Sequence, residues 1–332
     1  MPAKICLAIS LGDPNGIGPE VVLKALADAG VRQRVEPVVV GSRAVLRHYA
    51  AKLGLEDVLA PLAIEEVGDA QTSAVEEGLV TAAAGKLAME AVARACDLCL
   101  TGAADGMVTA PIHKEAIFLA GYAFPGHTEF LAERTGAEGY VMLMAADALR
   151  VALVTTHIPL REVASRVTLA AVLDTLQRLD AGLRTDFGIA APRLALLGMN
   201  PHAGDGGVLG TEELDILAPA LELARQRGLE VSGPHPADGF FGRRAYLHHD
   251  AVLATYHDQG LVGFKTIAAG SGVNVTLGLP IVRTSPDHGT AFDLAGRGTA
   301  DAGSMIAAIH LAADIAERRR ATAPTGTAAA SG

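Results

Sequence analysis

The chain has 332 residues, of which 50% are hydrophobic and 19% are charged, so it is expected to fold into about two globular domains. Its formal net charge of −10 argues against a general binder of nucleic acids or anionic membranes. No apolar stretch approaches the roughly 18 residues that a membrane span needs, and the first apolar run is too short for a secretory signal. With three cysteines, these features predict a cytoplasmic protein that keeps its thiols reduced.

Short aliphatic or β-branched runs alternate along the chain with segments of helical periodicity, which indicates an α/β fold with a largely parallel sheet. The tail 321–332 is of low complexity and is expected to be disordered. Helices are predicted at residues 19–29, 79–95, 128–134, 168–182 and 211–228. Strands are predicted at residues 5–10, 35–40, 106–109, 141–144, 150–155, 193–197, 251–255 and 273–276.

The predicted helices carry recognisable end signals. Pro19 suits the first turn of the first helix, and Gly30 is expected to end that helix. Thr168 and Thr211 precede two later helices, where a threonine hydroxyl can accept a hydrogen bond from an exposed amide.

Three histidines occupy equivalent positions, each just past the carboxyl end of a predicted buried strand. They are His157, His202 and His257. Ligands of open α/β sheets bind at this edge, because the loops there converge on one crevice. Three imidazoles with one open position form a common catalytic set for a divalent metal, with zinc as the leading candidate. For each histidine taken alone, the alternative is a hydrogen bond to neighbouring backbone.

Basic and amide side chains concentrate beside glycine- and proline-rich turns, although the protein as a whole is acidic. Lys114 follows one predicted strand, and Gly126-His-Thr-Glu129 opens a helix whose free amides can bind an anion. Lys265, Asn274 and Arg283 lie further along the chain. Turn chemistry explains many of the glycines but not these side chains. A basic cluster near a metal suits an anionic substrate.

Several familiar signatures are missing from the sequence. It contains no Gly-x-Gly-x-x-Gly fingerprint, Walker A loop, His-Glu-x-x-His or Gly-x-Ser-x-Gly motif. Cys96-Asp-Leu-Cys99 has no second pair to complete a zinc knuckle and falls near the end of a helical segment. A structural role is therefore expected for these two cysteines.

Five long motifs stand in order along the chain, namely Gly12-Asp-Pro-Asn-Gly-Ile-Gly-Pro-Glu20, Gly126-His-Thr-Glu129, Asn200-Pro-His-Ala-Gly204, Tyr256-His-Asp-Gln-Gly260 and Val273-Asn-Val-Thr-Leu-Gly-Leu-Pro280. From about residue 5 to residue 314, the chain resembles the 4-hydroxythreonine-4-phosphate dehydrogenase family of pyridoxal phosphate biosynthesis. The segment His288-Gly-Thr-Ala-Phe-Asp-Leu-Ala-Gly296 also resembles the adenosine-binding loop of isocitrate and isopropylmalate dehydrogenases. These enzymes bind NAD without the missing glycine fingerprint.

The resemblance implies a fold of two α/β/α lobes of isocitrate/isopropylmalate dehydrogenase type, with the active site in the cleft between them. One lobe would comprise residues 1–125 with about 280–320, from both chain ends. The other would comprise residues 126–279 and carry the metal and the dimer contacts. The family is homodimeric, and its active site lies at the dimer interface.

The resemblance also implies roles for particular residues. The three histidines match the family's ligands of a divalent cation (Zn²⁺, Mg²⁺ or Co²⁺). Asp238 and Lys265 are the two candidates for the catalytic base, and the choice between them stays open. The substrate-binding positions are His127, Thr128, Lys265, Asn274 and Arg283. The positions expected to bind NAD, or alternatively NADP, are His288, Gly289, Thr290, Ala291 and Asp293.

The implied reaction is the NAD-dependent oxidation of the C3 hydroxyl of 4-phosphooxy-L-threonine to 2-amino-3-oxo-4-phosphooxybutanoate, which loses CO2 to give 3-amino-2-oxopropyl phosphate. A sister dehydrogenase of erythronate or threonate 4-phosphate is the nearer alternative, since it would share most of the motifs. A dehydrogenase of aromatic cis-dihydrodiols would lack the phosphate-binding set. A zinc-dependent hydrolase with three histidine ligands is the more remote alternative, because it leaves the segment 288–296 without a role.

Overall fold

The structure, a computed structural model, describes residues 4–147, 149–268 and 270–322. Strands within these ranges form one 11-stranded sheet, in the order β3-β2-β1-β4-β11-β10-β5-β6-β9-β7-β8. The strands are β1 (Ile5–Ser10), β2 (Val35–Gly41), β3 (Ala63–Glu66), β4 (Gly106–Thr109), β5 (Val141–Ala146), β6 (Leu149–Leu153), β7 (Arg193–Leu197), β8 (Glu230–His235), β9 (Ala251–Ala254), β10 (Val273–Leu277) and β11 (Arg283–Pro286).

Thirteen helices lie within the described ranges and cover both faces of the sheet. No described helix combines the length and the apolar character needed to cross a membrane. The helices are α1 (Gly18–Ala27), α2 (Ala29–Arg34), α3 (Arg43–Leu53), α4 (Glu56–Leu59), α5 (Ala82–Leu100), α6 (Lys114–Leu119), α7 (His127–Thr135), α8 (Leu160–Arg166), α9 (Leu169–Thr185), α10 (Ala218–Gln226), α11 (Ala237–Gly242), α12 (His257–Ala268) and α13 (Gly303–Thr322).

The sheet has two halves that come from different parts of the chain. Strands β1 to β4 and β11 form one half, and strands β5 to β10 form the other. Most pairings are parallel, but β10 runs antiparallel to both β11 and β5, and β5 runs antiparallel to β6. The α/β fold with a largely parallel sheet is confirmed. The antiparallel strands at the centre of the sheet were not predicted, because side chains alternate with the same period in parallel and antiparallel strand pairs.

The core lies on both faces of the sheet, as β1 illustrates. Leu7 and Ile9 pack into the hydrophobic cluster that α1 and α13 share, whereas Ala8 packs into the cluster formed by α5. All three residues are fully buried. A strand buried on both faces reads as a continuous aliphatic run, and this is the reason why the sequence identifies β1 so clearly.

Several helix ends follow local chemistry that the sequence only partly indicates. The Thr168 hydroxyl accepts a hydrogen bond from the Ala171 amide at 3.2 Å and caps α9, as predicted. Thr211 provides no such cap, and its helix begins instead with a π-helical turn at Glu213–Leu217. The expected end of α1 at Gly30 is wrong, because Asp28 ends α1 and accepts the Val31 amide at 3.0 Å to start α2.

The remaining differences are elements that the periodicity does not indicate. Strands β3, β8 and β11 were unpredicted, as were the helices α2, α3, α4, α6, α8, α11, α12 and the long α13. Residues 321 and 322 form the end of α13, and residues 323–332 of the expected tail lie outside the described residues. The division into lobes at residues 125 and 280 remains a prediction.

Candidate active site

One polar cavity of about 440 Å³ lies at the join between the two halves of the sheet. Strands β4, β10 and β11 form its floor, α7 and α12 supply further side chains, and the 287–289 loop closes one end. Its lining includes every predicted substrate-binding residue, namely His127, Thr128, Lys265, Asn274 and Arg283. We call this the anion cavity.

Arg283 is the most unusual residue of the anion cavity. Its side chain is buried, and its guanidinium donates hydrogen bonds to the hydroxyls of Thr109 (3.0 and 3.2 Å) and Thr276 (3.0 Å). Burial lowers the pKa of Arg283 to about 10, and Glu129 opposes this shift. Among the described residues no carboxylate forms an ion pair with it. A buried cation with only hydroxyl partners is costly, so this site favours an anionic ligand.

His127 and Asn274 add buried polar atoms that also lack partners. The Nε2 atom of His127 and the Oδ1 atom of Asn274 are buried, and neither has a hydrogen-bond partner within the described part of the chain. Burial, and then the charge of Arg283, hold the pKa of His127 well below its usual range, so its imidazole is neutral. Buried polar groups normally find partners. These atoms are therefore available to a ligand.

Two lysines from different helices contribute to the anion cavity. Lys265 extends from α12, and its Nζ atom lies 3.0 Å from a carboxylate oxygen of Asp287. Lys114 is the first residue of α6 and is exposed. Both side chains line the cavity. The resemblance gives no role to Lys114.

Two of the three predicted metal ligands lie together beside this cavity. The imidazole rings of His157 and His257 are 5.8 Å apart between centroids. The Nδ1 atom of His257 lies 2.7 Å from a carboxylate oxygen of Asp258, and the Nδ1 atom of His157 lies 4.0 Å from one of Glu129. Burial, followed by the charge of Lys114, lowers the pKa of His157. This favours the neutral imidazole, which is the form that binds metals.

His202 lies in a neighbouring cavity of about 650 Å³, which Asp238 and Asp258 also line. It belongs to a left-handed turn in which residues 202–206 all have positive φ angles. The buried Glu213 carboxylate holds this turn by accepting the amides of Met199 and Asn200, both at 2.7 Å. Glu213 is a positioning residue that the sequence analysis missed.

His157 thus lines the anion cavity and His202 the neighbouring one, whereas His257 shares a third, adjoining cavity with His157. Within residues 4–147, 149–268 and 270–322, no three histidine, cysteine or acidic side chains lie close enough to hold one metal ion. The donor chemistry nevertheless fits a divalent metal, because His157 and His257 already face each other and Asp258 orients one of them. We call this region the histidine edge.

The predicted cofactor loop connects the anion cavity to the first turn of the chain. His288 and Gly289 line the cavity, whereas Thr290 is buried, and its carbonyl accepts the Ile17 amide at 3.0 Å. Ala291 has a φ of 39°, and Asp293 is exposed. The loop therefore packs on the turn 12–18, so that a nucleotide bound at one of these segments lies beside the other.

The first turn contains a buried acid, Asp13, to which the sequence analysis assigned no role. Asp13 has no exposed surface, and burial raises its pKa to about 6. One of its carboxylate oxygens accepts the Asn15 amide at 2.9 Å, and the other has no partner among the described residues. Its position between two glycines in Gly12-Asp-Pro-Asn-Gly16 was the available signal.

The cysteines lie away from both cavities. Cys96 and Cys99 are on α5, and all three cysteines of the chain are free thiols. Burial raises the pKa of Cys96 to about 11 and that of Cys99 to about 12. Thiols with such pKa values are poor nucleophiles, which agrees with the structural role predicted for this Cys-x-x-Cys.

Comparison with known proteins places this geometry in a family. The chain is 46% identical to a 4-hydroxythreonine-4-phosphate dehydrogenase of Burkholderia vietnamiensis, over 96% of this chain and 99% of the relative. The crystal structure of a 4-hydroxythreonine-4-phosphate dehydrogenase from Klebsiella pneumoniae is similar with a TM-score of 0.83 and 40% identity, over 95% of this chain and 98% of that one.

A more distant solved structure is a terephthalate 1,2-cis-dihydrodiol dehydrogenase from Burkholderia xenovorans. It has a TM-score of 0.64 and 30% identity, over 94% of this chain and 98% of that one. The family profile described as "Pyridoxal phosphate biosynthetic protein PdxA" matches residues 33–312. The resemblance inferred from the motifs is confirmed, and the chain belongs to the family of the pyridoxal phosphate biosynthetic protein PdxA.

Proposed function

We propose that this protein is a 4-hydroxythreonine-4-phosphate dehydrogenase, which oxidises 4-phosphooxy-L-threonine with a nicotinamide cofactor in pyridoxal phosphate biosynthesis. The observation that carries the proposal is the buried Arg283 guanidinium, which has hydroxyl partners but no ion pair among the described residues. A phosphate monoester supplies the missing negative charge. The relatives that share 46% and 40% of the sequence bear the same name.

Substrate binding falls to the residues of the anion cavity. Arg283, Lys265 and His127 hold the phosphate and the carboxylate, and Thr128 and Asn274 supply hydrogen bonds. Because Arg283 and Asn274 are on adjacent strands, their positions are fixed before the substrate binds. This would orient the C3 hydrogen toward the nicotinamide of a bound cofactor, which would supply the hydride acceptor, while a base of this chain takes the hydroxyl proton.

Asp238 is the better of the two candidate bases. It is exposed in the cavity that contains His202, and its carboxylate is a proton acceptor. Lys265 is a cation held by Asp287, which suits anion binding rather than proton abstraction. Loss of CO2 from the 2-amino-3-oxo acid then gives 3-amino-2-oxopropyl phosphate.

His157, His202 and His257 would hold a divalent metal ion such as Zn²⁺, Mg²⁺ or Co²⁺. When bound, such an ion lowers the pKa of a coordinated hydroxyl and polarises the ketone formed from it. Glu213 places His202 through the backbone of the preceding residues, and Asp258 fixes the ring of His257. These two acids orient the ligands before an ion arrives.

The loop 288–293 would bind the adenosine half of NAD, with NADP as the alternative nucleotide. Gly289 is exposed at the cavity, and a Cβ added there meets no atom within 4 Å. The open space on this side allows the nucleotide to approach the backbone closely. Thr290, Ala291 and Asp293 complete the loop, which Ile17 ties to the first turn.

The protein would work as a homodimer whose two active sites lie at the interface. Exposed apolar side chains follow each histidine of the histidine edge within a few residues. Leu160 is 73% exposed, Val208 80% and Val262 67%. Apolar residues exposed around a functional site mark an interaction surface, and a second copy that covers them would complete the histidine edge. The cytoplasmic location stays a prediction from composition, and no nucleic-acid or membrane partner is proposed.

The test of this function is the formation of NADH, followed by its near-ultraviolet absorbance. The purified chain is mixed with NAD, a divalent metal and 4-phosphooxy-L-threonine, and in parallel with erythronate 4-phosphate and threonate 4-phosphate. We expect turnover with the phosphorylated amino acid and at most a small rate with the other two substrates. A higher rate with either sugar acid would assign the chain to the sister activity. The zinc-hydrolase alternative has no support from the comparisons.

A further inference from the structure

We propose that Lys114 is a further substrate-binding residue, whose ammonium group binds the phosphate of the substrate together with Arg283. The inference deepens the proposed function and rests on it for the identity of the substrate. It assigns to the anion cavity, beside Arg283 and Lys265, a further cation to which the resemblance gives no role.

The charges of the anion cavity show why a second cation is needed. A phosphate monoester carries a charge of about −1.5 to −2 at neutral pH. Lys265 is compensated by the carboxylate of Asp287 at 3.0 Å, and His127 is neutral because burial lowers its pKa. Of the cations that the resemblance assigns to this cavity, only Arg283 has no carboxylate partner among the described residues, and its single charge offsets about half of that of a phosphate dianion.

Lys114 is placed to supply that charge. Its side chain lines the cavity together with Arg283, His127 and Asn274. No described carboxylate forms an ion pair with it, and its amine makes no hydrogen bond to another described residue. His157 of the histidine edge lines the same cavity, so Lys114 and this histidine border one space.

The surroundings support a ligand rather than a protein partner for this amine. The unpartnered atoms of His127 and Asn274 are buried in the same cavity. By contrast, Lys86 on α5 lies 3.7 Å from Glu90 and does not line the cavity. An unpaired lysine beside unpartnered buried polar atoms is what a dianion site requires before its ligand binds.

The experiment measures the binding of inorganic phosphate by calorimetry and, separately, the kinetics of turnover. The variants are Lys114→Met and Lys114→Arg, with Lys86→Met as the matched control. For Lys114→Met we expect a phosphate Kd about tenfold higher and a KM for 4-phosphooxy-L-threonine higher by about the same factor, the scale of one charge-assisted hydrogen bond. The kcat and the KM for NAD should change little, and Lys114→Arg should restore most of the affinity.

Several outcomes would overturn the assignment. Unchanged phosphate binding in Lys114→Met would do so, as would an equal loss in Lys86→Met or no measurable phosphate binding by the unmodified chain. A loss of affinity for unphosphorylated 4-hydroxy-L-threonine, with phosphate binding intact, would assign Lys114 to the substrate carboxylate and would also overturn it. If phosphate binding depends on Lys114 but 4-phosphooxy-L-threonine is not oxidised, the proposed function fails and the phosphate site stands.

Discussion

The anion cavity and the histidine edge adjoin each other but are built in different ways. Arg283 and Asn274 of the cavity are on strands, and Arg283 is only 3% exposed. His157 and His202 of the edge are on loops, and the side chain of His157 is 41% exposed. The cavity is thus organised within one chain, whereas the edge is open to solvent. The difference teaches that the proposed anion site is complete within one chain, whereas the proposed metal site would need additional groups.

The largest effect is expected at the histidine edge. His202→Ala should lower turnover by about a hundredfold or more, because a metal ligand is lost, while the fold survives. Steady-state NADH formation and the metal content of the purified protein check this. His48→Ala is the matched control, since His48 is exposed and pairs only with Glu77. Full activity of His202→Ala, or of the unmodified chain after EDTA treatment, would refute the metal-dependent mechanism.

The second test is directed at the anion cavity. Arg283→Met should raise the KM for 4-phosphooxy-L-threonine by about tenfold to a hundredfold, or about 1.5–3 kcal/mol, and should leave the KM for NAD nearly unchanged. Because the buried guanidinium has no ion pair among the described residues, the melting temperature of the ligand-free variant should not fall. Kinetics and thermal unfolding measure the two effects.

The control for this substitution is Arg94→Met, which removes an exposed arginine that pairs with Glu65 at 2.7 Å. It should change neither KM. Equal losses of affinity for NAD and substrate in Arg283→Met would mean that the residue serves the cofactor. A large drop in melting temperature would mean that the guanidinium stabilises the chain without its ligand.

A smaller effect is expected where the cofactor loop meets the anion cavity. Gly289→Val should raise the KM for NAD by about tenfold, because the added side chain fills the space into which the nucleotide packs. The fold should tolerate it, since a Cβ at Gly289 meets no atom within 4 Å. Gly242→Val, at another open position, is the control. Unchanged NAD binding in Gly289→Val would contradict the proposed cofactor loop and would favour the turn 12–18 as the nucleotide-binding segment.

The smallest effect concerns stability. Burial raises the pKa of Asp13 to about 6, above its usual range, so folding disfavours its ionised form. The unfolded chain releases this proton at lower pH than the folded chain, and stability is lost as pH rises from about 4 toward 6. The melting temperature of Asp13→Asn relative to the unmodified chain should therefore be higher at pH 7 than at pH 4. Asp57→Asn, at an exposed position, should show no such trend.

The sequence indicated the fold where a buried strand also reads as a run of aliphatic residues. Ile5–Ser10 and Gly106–Thr109 were predicted with the bounds that the structure has. Arg283–Pro286 was not, because a strand that starts with a charged residue and ends with proline has no aliphatic pattern. Helix α13 was missed for a similar reason, since its apolar residues are spread around the helix rather than along one face.

The residue types of the candidate site could be identified from the sequence, whereas the contacts among these residues were decided only by the tertiary structure. Histidines after strand ends and basic residues beside glycine turns could be recognised without coordinates, because each depends on local position in an α/β unit. Three features depend on contacts between distant segments: Arg283 is buried without an ion pair among the described residues, Lys114 lines the same cavity, and Glu213 holds the turn of His202. Such contacts leave no periodic trace in a single chain, since burial and pairing arise only when the strands and helices pack.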